Sequence, residues 1–504
     1  MPRYAYERLS ALDHSFLLLE KRNAYMHVAS TLVLEAAPLR RPEGGIDFEA
    51  VKAATAAALH RIPRYRQKLA YVPLERSPVW VDDERFDLDD HLRHTALPRP
   101  GSEAQLKALS ARIMQQHLDR RRPLWEMWIV EGVEGDRFAI VSKVHHCMVD
   151  GISGVDLLTT QLRPTRDRDL PEPVPYFPRP APSPLELLRH EILRRAALPF
   201  AALRDAGHLL AEARNSRLEL LVRARAVAET LGATLHRPSE TPLNAPIGPH
   251  RRFDWLATPL DQLKAVRHAL GGSLNDVVLT IVTGAVRRFL TRRGVDVATL
   301  DFRILAPVSV RGEDERGRLG NRVSAWLLDL PIGLPDPRQQ LSRIAGRTQE
   351  LKRSRRAVGA SVLTQAADWT PPTLLALGAR NATRLLPFNM VVTNVPGPQA
   401  PLYLLGARLL ETYPHVPLAD RLGLGIALLS YDGRMHWGFN ADYDLVPDVA
   451  DFVDDVREAL RALREAARPI ELRAHEAPHE PSAPREPSAP RRRKAPARRT
   501  ASAG

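Results

Sequence analysis

The chain has 504 residues, 44% hydrophobic and 26% charged, proportions of a globular protein folding in water that exclude a collagen-like, wholly disordered or multi-span membrane chain. At about 150 residues per domain this length holds two or three domains. Against 59 acidic residues stand 72 basic ones, a net charge of +13, to which the terminal stretch from Glu471 to Gly504 contributes eight Lys/Arg and four Glu, net +4. Such a balance attracts nucleic acid, an anionic membrane surface or an anionic cosubstrate alike. The one cysteine, Cys147, excludes an internal disulfide and a Cys-based zinc site, so a reducing compartment is expected. The N-terminal residues do not read as a secretory signal, and no run of 18 apolar residues predicts a transmembrane anchor.

In chain order, Leu124 to Val130 and Phe138 to His145 read as strands flanking a turn at 131–136, which predicts a hairpin. Prolines at 171, 173, 175, 178, 180, 182 and 184 remove backbone donors and predict an extended linker. Ser183-Pro184-Leu185-Glu186 then reads as a helix start, with Ser183 as N-cap, Pro184 at the first helical position and Glu186 closing a capping box. A basic helical stretch follows to about Leu235, broken or kinked at Pro199. The second half predicts helices over Pro259–Leu270 and Leu274–Arg293, stopped by Gly271-Gly272 and Gly294. Its strands fall near Phe302–Val310, Val323–Leu330, Met390–Val395, Leu422–Leu429 and Met435–Asn440.

These elements give an α/β chain, an α+β sandwich pattern occurring twice, without the regular alternation of βαβ winding. The ordered halves span 1–165 and 246–468, with 166–245 as a Pro-rich linker and basic helical connector. The tail 469–504 repeats Glu-Pro-Ser-Ala-Pro-Arg and is too polar to bury a core.

Val144-His145-His146-Cys147-Met148-Val149-Asp150-Gly151 stands where an apolar strand ends and a helix begins at about Val155. Alternation along the strand puts His146 on the side of Phe138, Ile140 and Val144, and His145 on the opposite side. A neutral imidazole against an apolar wall suits proton acceptance near pH 7, because burial disfavours its charged form. Asp150 would fix that geometry, Gly151 would let backbone pass close to a substrate, and the following helix start would offer amides to a developing oxyanion. A metal site is disfavoured, since opposed strand directions leave one His with Asp150 and no third ligand nearby. Cys147 reads as a buried, inert thiol.

The motif HHxxxDG, here His145, His146, Asp150 and Gly151, resembles the signature of the condensation-domain and chloramphenicol-acetyltransferase-like acyltransferases. Further blocks narrow this: Leu9-Ser10-Ala11-Leu12-Asp13 with Met26-His27-Val28, Arg122-Pro123-Leu124-Trp125-Glu126, and Leu243-Asn244-Ala245-Pro246-Ile247-Gly248. They continue with Asn275-Asp276, Pro307-Val308-Ser309-Val310-Arg311, Gly320-Asn321 and Thr393-Asn394-Val395-Pro396-Gly397-Pro398. From about Arg8 to about Arg468 the chain is similar to the bacterial wax ester synthase/acyl-CoA:diacylglycerol acyltransferases.

The resemblance implies two chloramphenicol-acetyltransferase-like domains with a tunnel between them, acyl-CoA entering as substrate from one side and diacylglycerol or a long-chain alcohol from the other. It implies a reaction without metal or cofactor. The second His of the motif acts as general base, which puts that role on His146, with His145 and Asp150 as supporting residues of the catalytic motif. Gly151, Asn275 and Asn394 are expected at the substrate. Asp276 has a structural reading as the third helical residue of a capping box with Ser273, Asn394 one as a turn residue, and Trp125 one as a core aromatic.

The expected setting is cytoplasmic, peripheral at the inner membrane face or on lipid inclusions, with no nucleic-acid partner. The rivals are a condensation-type enzyme acting on carrier-protein thioesters, disfavoured by the absence of carrier modules in this chain, and a non-catalytic lipid-binding protein, disfavoured by His146, Asp150 and Gly151.

Overall fold

The computed structural model describes residues 6–148, 160, 162–196, 237–309, 323–353 and 386–468. The expected kink at Pro199, most of the basic connector, and the tail from residue 469 lie outside them. Two six-stranded mixed sheets dominate. The first half contributes β2 (His27–Glu35), β5 (Leu92–Ala96), β6 (Trp125–Val133) and β7 (Arg137–His145) to a sheet in which β7 lies between β2 and β6. The expected hairpin is present as β6 and β7, paired antiparallel with a register shift between Val130 and Val133. A smaller sheet holds β1 (Tyr6–Arg8), β3 (Gln67–Tyr71) and β4 (Pro78–Asp82).

The second sheet has the order β10-β9-β11-β14-β15-β8, from β8 (Arg251–Pro259), β9 (Phe302–Ser309), β10 (Val323–Leu330), β11 (Met390–Pro396), β14 (Leu424–Tyr431) and β15 (Arg434–Asp442). β11 runs parallel to both neighbours, β9 and β14, while the other pairs are antiparallel. Helices Leu260–Leu270 and Leu274–Arg292 start and stop within a residue of expectation, and Gly271, at φ 84°, ends the first in a conformation that only glycine adopts without strain. Leu274–Arg292 is buried almost all round because, in one core with the second sheet, it is flanked by the helices Leu260–Leu270, Pro337–Arg353 and Val449–Ala467, the last of which carries Phe452, Val453, Val456, Ala459, Leu460 and Leu463 on its inner face at helical spacing.

One strand pair crosses between the halves. Residues Tyr403–Leu404 (β12) and Ala407–His415 (β13) belong by sequence to the second half, yet they complete the first sheet, with β13 paired antiparallel to β2 from Leu409↔Leu34 to His415↔Ala29. Sequence pattern does not mark β13 as a strand because Pro414 interrupts it. At the crossing, a Cβ on Gly438 of β15 would sit 1.9 Å from the Pro414 carbonyl oxygen, and one on Gly425 would sit 2.7 Å from Val416 Cγ1. The absence of side chains at these positions lets β13 lie against the second sheet.

Around the crossing, Phe253 and Trp255 of β8 stack on His415 and Tyr413 of β13 and pack into the apolar layer behind Val33, Ala139 and Val141. Tyr25 Oη donates to the Pro249 carbonyl (3.0 Å), Asn23 to that of Ile247 (3.1 Å), and Lys107 pairs with Asp254 at 2.7 Å. Two buried histidines lie here. His415 is pushed down to about 3 by burial, and His436 to about 4 by burial and then the nearby Arg434 charge.

The linker is extended and strapped to the first half. Arg179 makes a two-pronged ion pair with Asp82 at 2.9 Å through each nitrogen, and Tyr176 Oη donates to the Arg66 carbonyl. Ser183 and Glu186 form the expected reciprocal cap: the Ser183 N–H donates to Glu186 (2.8 Å), and the Glu186 N–H donates to Ser183 Oγ (3.3 Å).

Gly438→Ala should cost about 3 kcal/mol or more of unfolding free energy in a denaturant titration, because carbonyl backbone has no room to yield. Gly346→Ala, in the helix Pro337–Arg353 with nothing within 4 Å of the new methyl, should be neutral or stabilising by up to about 1 kcal/mol.

Acid should also loosen the protein. An unfolded His takes a proton near pH 6.5 while His415 and His436 refuse it in the fold, so stability is complete above 6.5 and falls as pH drops toward 4. The slope is about 1.4 kcal/mol per pH unit for each group. Calorimetric midpoints between pH 7 and 5 measure it, and His436→Leu should flatten the dependence.

Candidate active site

The site is built at the end of β7. Phe138, Ile140 and Val144 face one apolar layer of the sheet, and Ala139 and Val141 face the other. Lys143 and His145 continue the second face. The Lys143 ammonium, fully buried, donates to the carbonyls of Ile113 (3.1 Å) and Gln116 (3.0 Å), closing the C-terminal end of the helix Glu103–Met114. Burial pushes its pKa down.

Pairing between β2 and β7 ends at His27↔His145. The next amide, that of His146, donates to the Met26 carbonyl at 2.8 Å, and the chain enters a 3-10 turn over His146–Met148. His146 therefore does not continue the strand alternation, which would have set it beside Phe138, Ile140 and Val144. Its ring lies flat against Phe16 instead, with centroids 3.8 Å apart and planes 17° from parallel. Phe16 is on the helix Ala11–Leu19 (α1), which starts where Ser10 accepts the Asp13 N–H at 3.1 Å. Among the described residues His146 Nδ1 is buried without a hydrogen-bond partner, although the residue as a whole is only partly buried. Loss of solvation is the largest influence on it and pushes the imidazole down to about 4, so the ring is neutral at physiological pH.

His145 faces the opposite way, as alternation requires, and is 1% exposed. Its Nδ1 accepts the Cys147 backbone N–H at 3.2 Å and lies 3.0 Å from Cys147 Sγ. An acceptor at Nδ1 places the ring proton on Nε2. The first histidine thus holds the turn from which the second projects. The Cys147 thiol is buried, and burial raises its pKa well above the usual thiol range, so it stays protonated and inert.

Behind His145 stands a carboxylate that sequence reasoning missed. Glu20, the residue that ends α1, places Oε1 3.3 Å from His27 Nε2, 3.5 Å from His117 Nδ1 and 3.6 Å from His145 Nε2. Its Oε2 accepts from Arg120 Nε (3.1 Å) and Nη2 (2.5 Å). Burial opposes ionisation of Glu20, but the contacts with His145 and His27 outweigh it and hold the carboxyl well below the usual range. His27 is pushed down to about 4 by its own burial, against the pull of Glu20. Of this group only His27, in Met26-His27-Val28, and His145, in HHxxxDG, belong to recognised blocks; Phe16 and Glu20 fall between blocks and carry no motif. Among the described residues no group of three or more His, Cys, Asp or Glu is arranged to hold a metal ion.

Asn275 and Asn394 meet each other on the second half. Asn394 Nδ2 donates to Asn275 Oδ1 at 3.3 Å, tying the C-terminal end of β11 to the first turn of Leu274–Arg292. Beside them Ser273 and Asp276 form the capping box expected from sequence, and Asp276 Oδ1 accepts from Thr348 at 2.8 Å. Trp125 is a core aromatic, 1% exposed, donating its indole N–H to the Tyr65 carbonyl at 2.9 Å. Asp150 and Gly151 lie outside the described residues, as does the helix expected from about Val155.

Comparison with known proteins agrees with this architecture. Residues 9–278 match the wax ester synthase/diacylglycerol acyltransferase catalytic domain, and residues 319–464 the WS/DGAT C-terminal domain. A Mycobacterium tuberculosis (strain CDC 1551 / Oshkosh) protein named as a diacylglycerol O-acyltransferase is 33% identical over 475 residues, 92% of this chain and 91% of its own. The O-acyltransferase WSD of Acinetobacter baylyi is 30% identical over 462 residues, 90% and 96% of the two chains.

Among solved structures, the wax ester synthase/diacylglycerol acyltransferase from Marinobacter aquaeolei VT8 superposes with a TM-score of 0.62 at 27% identity, covering 91% of this chain and 99% of that one. The starter condensation domain of rhizomide synthetase, at 15% identity and a TM-score of 0.56 over 92% and 96% of the chains, shares the fold. With both domains matched in order and relatives aligned along nine-tenths of its length, the chain belongs to the wax ester synthase/diacylglycerol acyltransferase family.

Proposed function

We propose that this acyltransferase moves a long-chain acyl group from acyl-CoA to the hydroxyl of diacylglycerol or a long-chain alcohol, with His146 as general base and no cofactor. The observation that carries the assignment is the His146 imidazole: neutral, desolvated against Phe16, and projected from a turn that its neighbour His145 holds. His146 takes the acceptor hydroxyl proton while that oxygen attacks the thioester carbonyl. Collapse of the tetrahedral intermediate breaks the carbon–sulfur bond, and the proton passes to the departing CoA sulfur. General base catalysis of this kind supplies about 10²–10⁴-fold, leaving the rest to alignment of the two substrates and stabilisation of the oxyanion.

In this proposal Asp150 and Gly151 complete the site beside His146, the substrates meet in a tunnel between the halves, and the linked amides of Asn275 and Asn394 contact substrate from the second half. The proposed place of work is a lipid surface on the cytoplasmic side, the inner membrane face or an inclusion. Supporting this, Phe177, Leu185, Ile192 and Leu193 are exposed at 83%, 75%, 59% and 58%, around the helix at 184–196 that opens the basic connector. No single helix among the described residues is long and apolar enough to cross a membrane.

Two measurements test the base. His146→Ala should lower turnover of palmitoyl-CoA with diolein or hexadecanol, read as CoA release, by about 10²-fold or more, with an unchanged melting profile; retained turnover would remove the assignment. In the wild type, protonation disables the base, so activity falls as pH falls. With the ring held at about 4, the acid limb of kcat/KM should lie well below the 6.5 of an ordinary His.

A further inference from the structure

Phe16 and Glu20 are four residues apart at the end of α1, one helical turn, and between them they engage both histidines of the motif. Phe16 covers the His146 ring, and the Glu20 carboxylate faces His145. Glu20 is itself fixed: its backbone N–H closes α1 onto the Phe16 carbonyl at 3.1 Å, and Arg120 grips both Oε2 and the Leu17 carbonyl (3.1 Å). Its side chain is 7% exposed. Glu20 Oε1 is buried without a hydrogen-bond partner between two ring nitrogens in the same condition, His27 Nε2 at 3.3 Å and His145 Nε2 at 3.6 Å; a carboxylate oxygen has lone pairs for both, and a shift of about half an ångström brings His145 within bonding distance.

We propose that Glu20 is a positioning residue for acyl transfer: its carboxylate keeps the ring proton of His145 on Nε2, leaving Nδ1 free to hold the Cys147 amide and thereby the turn that aims His146. The inference rests on the acyltransferase reading of His146 and adds to it a residue outside HHxxxDG. The chain of contacts is short. Arg120 orients Glu20, Glu20 faces Nε2 of His145, Nδ1 of His145 accepts the Cys147 N–H, and His146 precedes Cys147 in the same turn. In Glu20→Gln the one remaining oxygen is claimed by Arg120 and the amide nitrogen is turned toward the histidines, so a buried Nε2–H has no acceptor beside it; the ring gains by moving its proton or rotating, and either change releases the Cys147 amide. A positioning residue of this kind acts on the reactive geometry of bound substrates, so its loss registers in kcat ahead of KM.

The experiment uses the full chain and joins a spectroscopic readout to a double-mutant cycle. In protein labelled with ¹⁵N-histidine, the ring signals of His145, identified by their loss in His145→Asn, should report a neutral Nε2–H tautomer; a neutral Nδ1–H ring in the wild type overturns the proposal without any variant at position 20. Glu20→Gln should abolish that uniform tautomer and lower kcat with palmitoyl-CoA and diolein by about tenfold or more, while KM for palmitoyl-CoA stays within about twofold. Glu20→Asp should recover part of the loss.

Asn at position 145 keeps an acceptor for the Cys147 amide but has no proton aimed at Glu20, so in a His145→Asn background Glu20→Gln should cost no further kcat. Additive losses in the cycle, or equal losses in kcat and melting temperature that Glu20→Asp does not relieve, refute a positioning role. If instead His146→Ala retains wild-type turnover, the acyltransferase assignment of His146 fails, while the tautomer of His145 still judges the carboxylate.

Discussion

The candidate site depends on the place where β2 and β7 stop pairing. While the ladder runs, every residue of β7 is committed to one face or the other, and the histidines would point apart with no further relation. Once the His146 amide has been taken by Met26, the next free amide, that of Cys147, needs an acceptor in a buried place, and the side chain at 145 supplies it. An imidazole does this with one nitrogen and presents a proton with the other, which a carboxamide or a hydroxyl cannot do along one rigid axis. The adjacent pair is thus a division of labour: one ring belongs to the backbone, and the other is left to face what approaches the turn.

The surroundings keep that second ring uncharged. Apolar contact with Phe16 removes solvent from one face, and the charges nearby are grouped around Glu20 and Arg120 on the other side of the turn. Lys143, three residues back, is turned toward the C-terminal end of the helix Glu103–Met114, where the Ile113 and Gln116 carbonyls satisfy it. Positive charge that would otherwise lie close to His146 is absorbed by structure.

Much of this was legible in the sequence. Apolar periodicity and glycine stops marked the second-half helices, Ser273/Asp276 marked the cap of one of them and Ser183/Glu186 the start of the connector helix, because each of these signals is local. HHxxxDG marked the candidate site for the same reason. What was illegible is what depends on distant partners. The turn at His146 is set by pairing with a strand more than a hundred residues earlier, so alternation alone put the ring on the wrong neighbours. Glu20 has no local signature as a buried carboxylate; its importance arises from three imidazoles and a guanidinium gathered by the fold from residues 27, 117, 120 and 145. β13 was hidden by Pro414, whose missing amide hydrogen argues against a strand until the glycine opposite its carbonyl is known.

The crossing of β13 bears on how the protein can be dissected. The first sheet is finished only when chain from the far end of the molecule has been laid beside β2. A fragment ending at the linker would leave β2 as a bare edge of unpaired amides and carbonyls, rich in Val and Leu, an invitation to intermolecular pairing. The two halves are therefore poor candidates for separate expression, and during synthesis the first must wait, incomplete, until some four hundred residues have emerged.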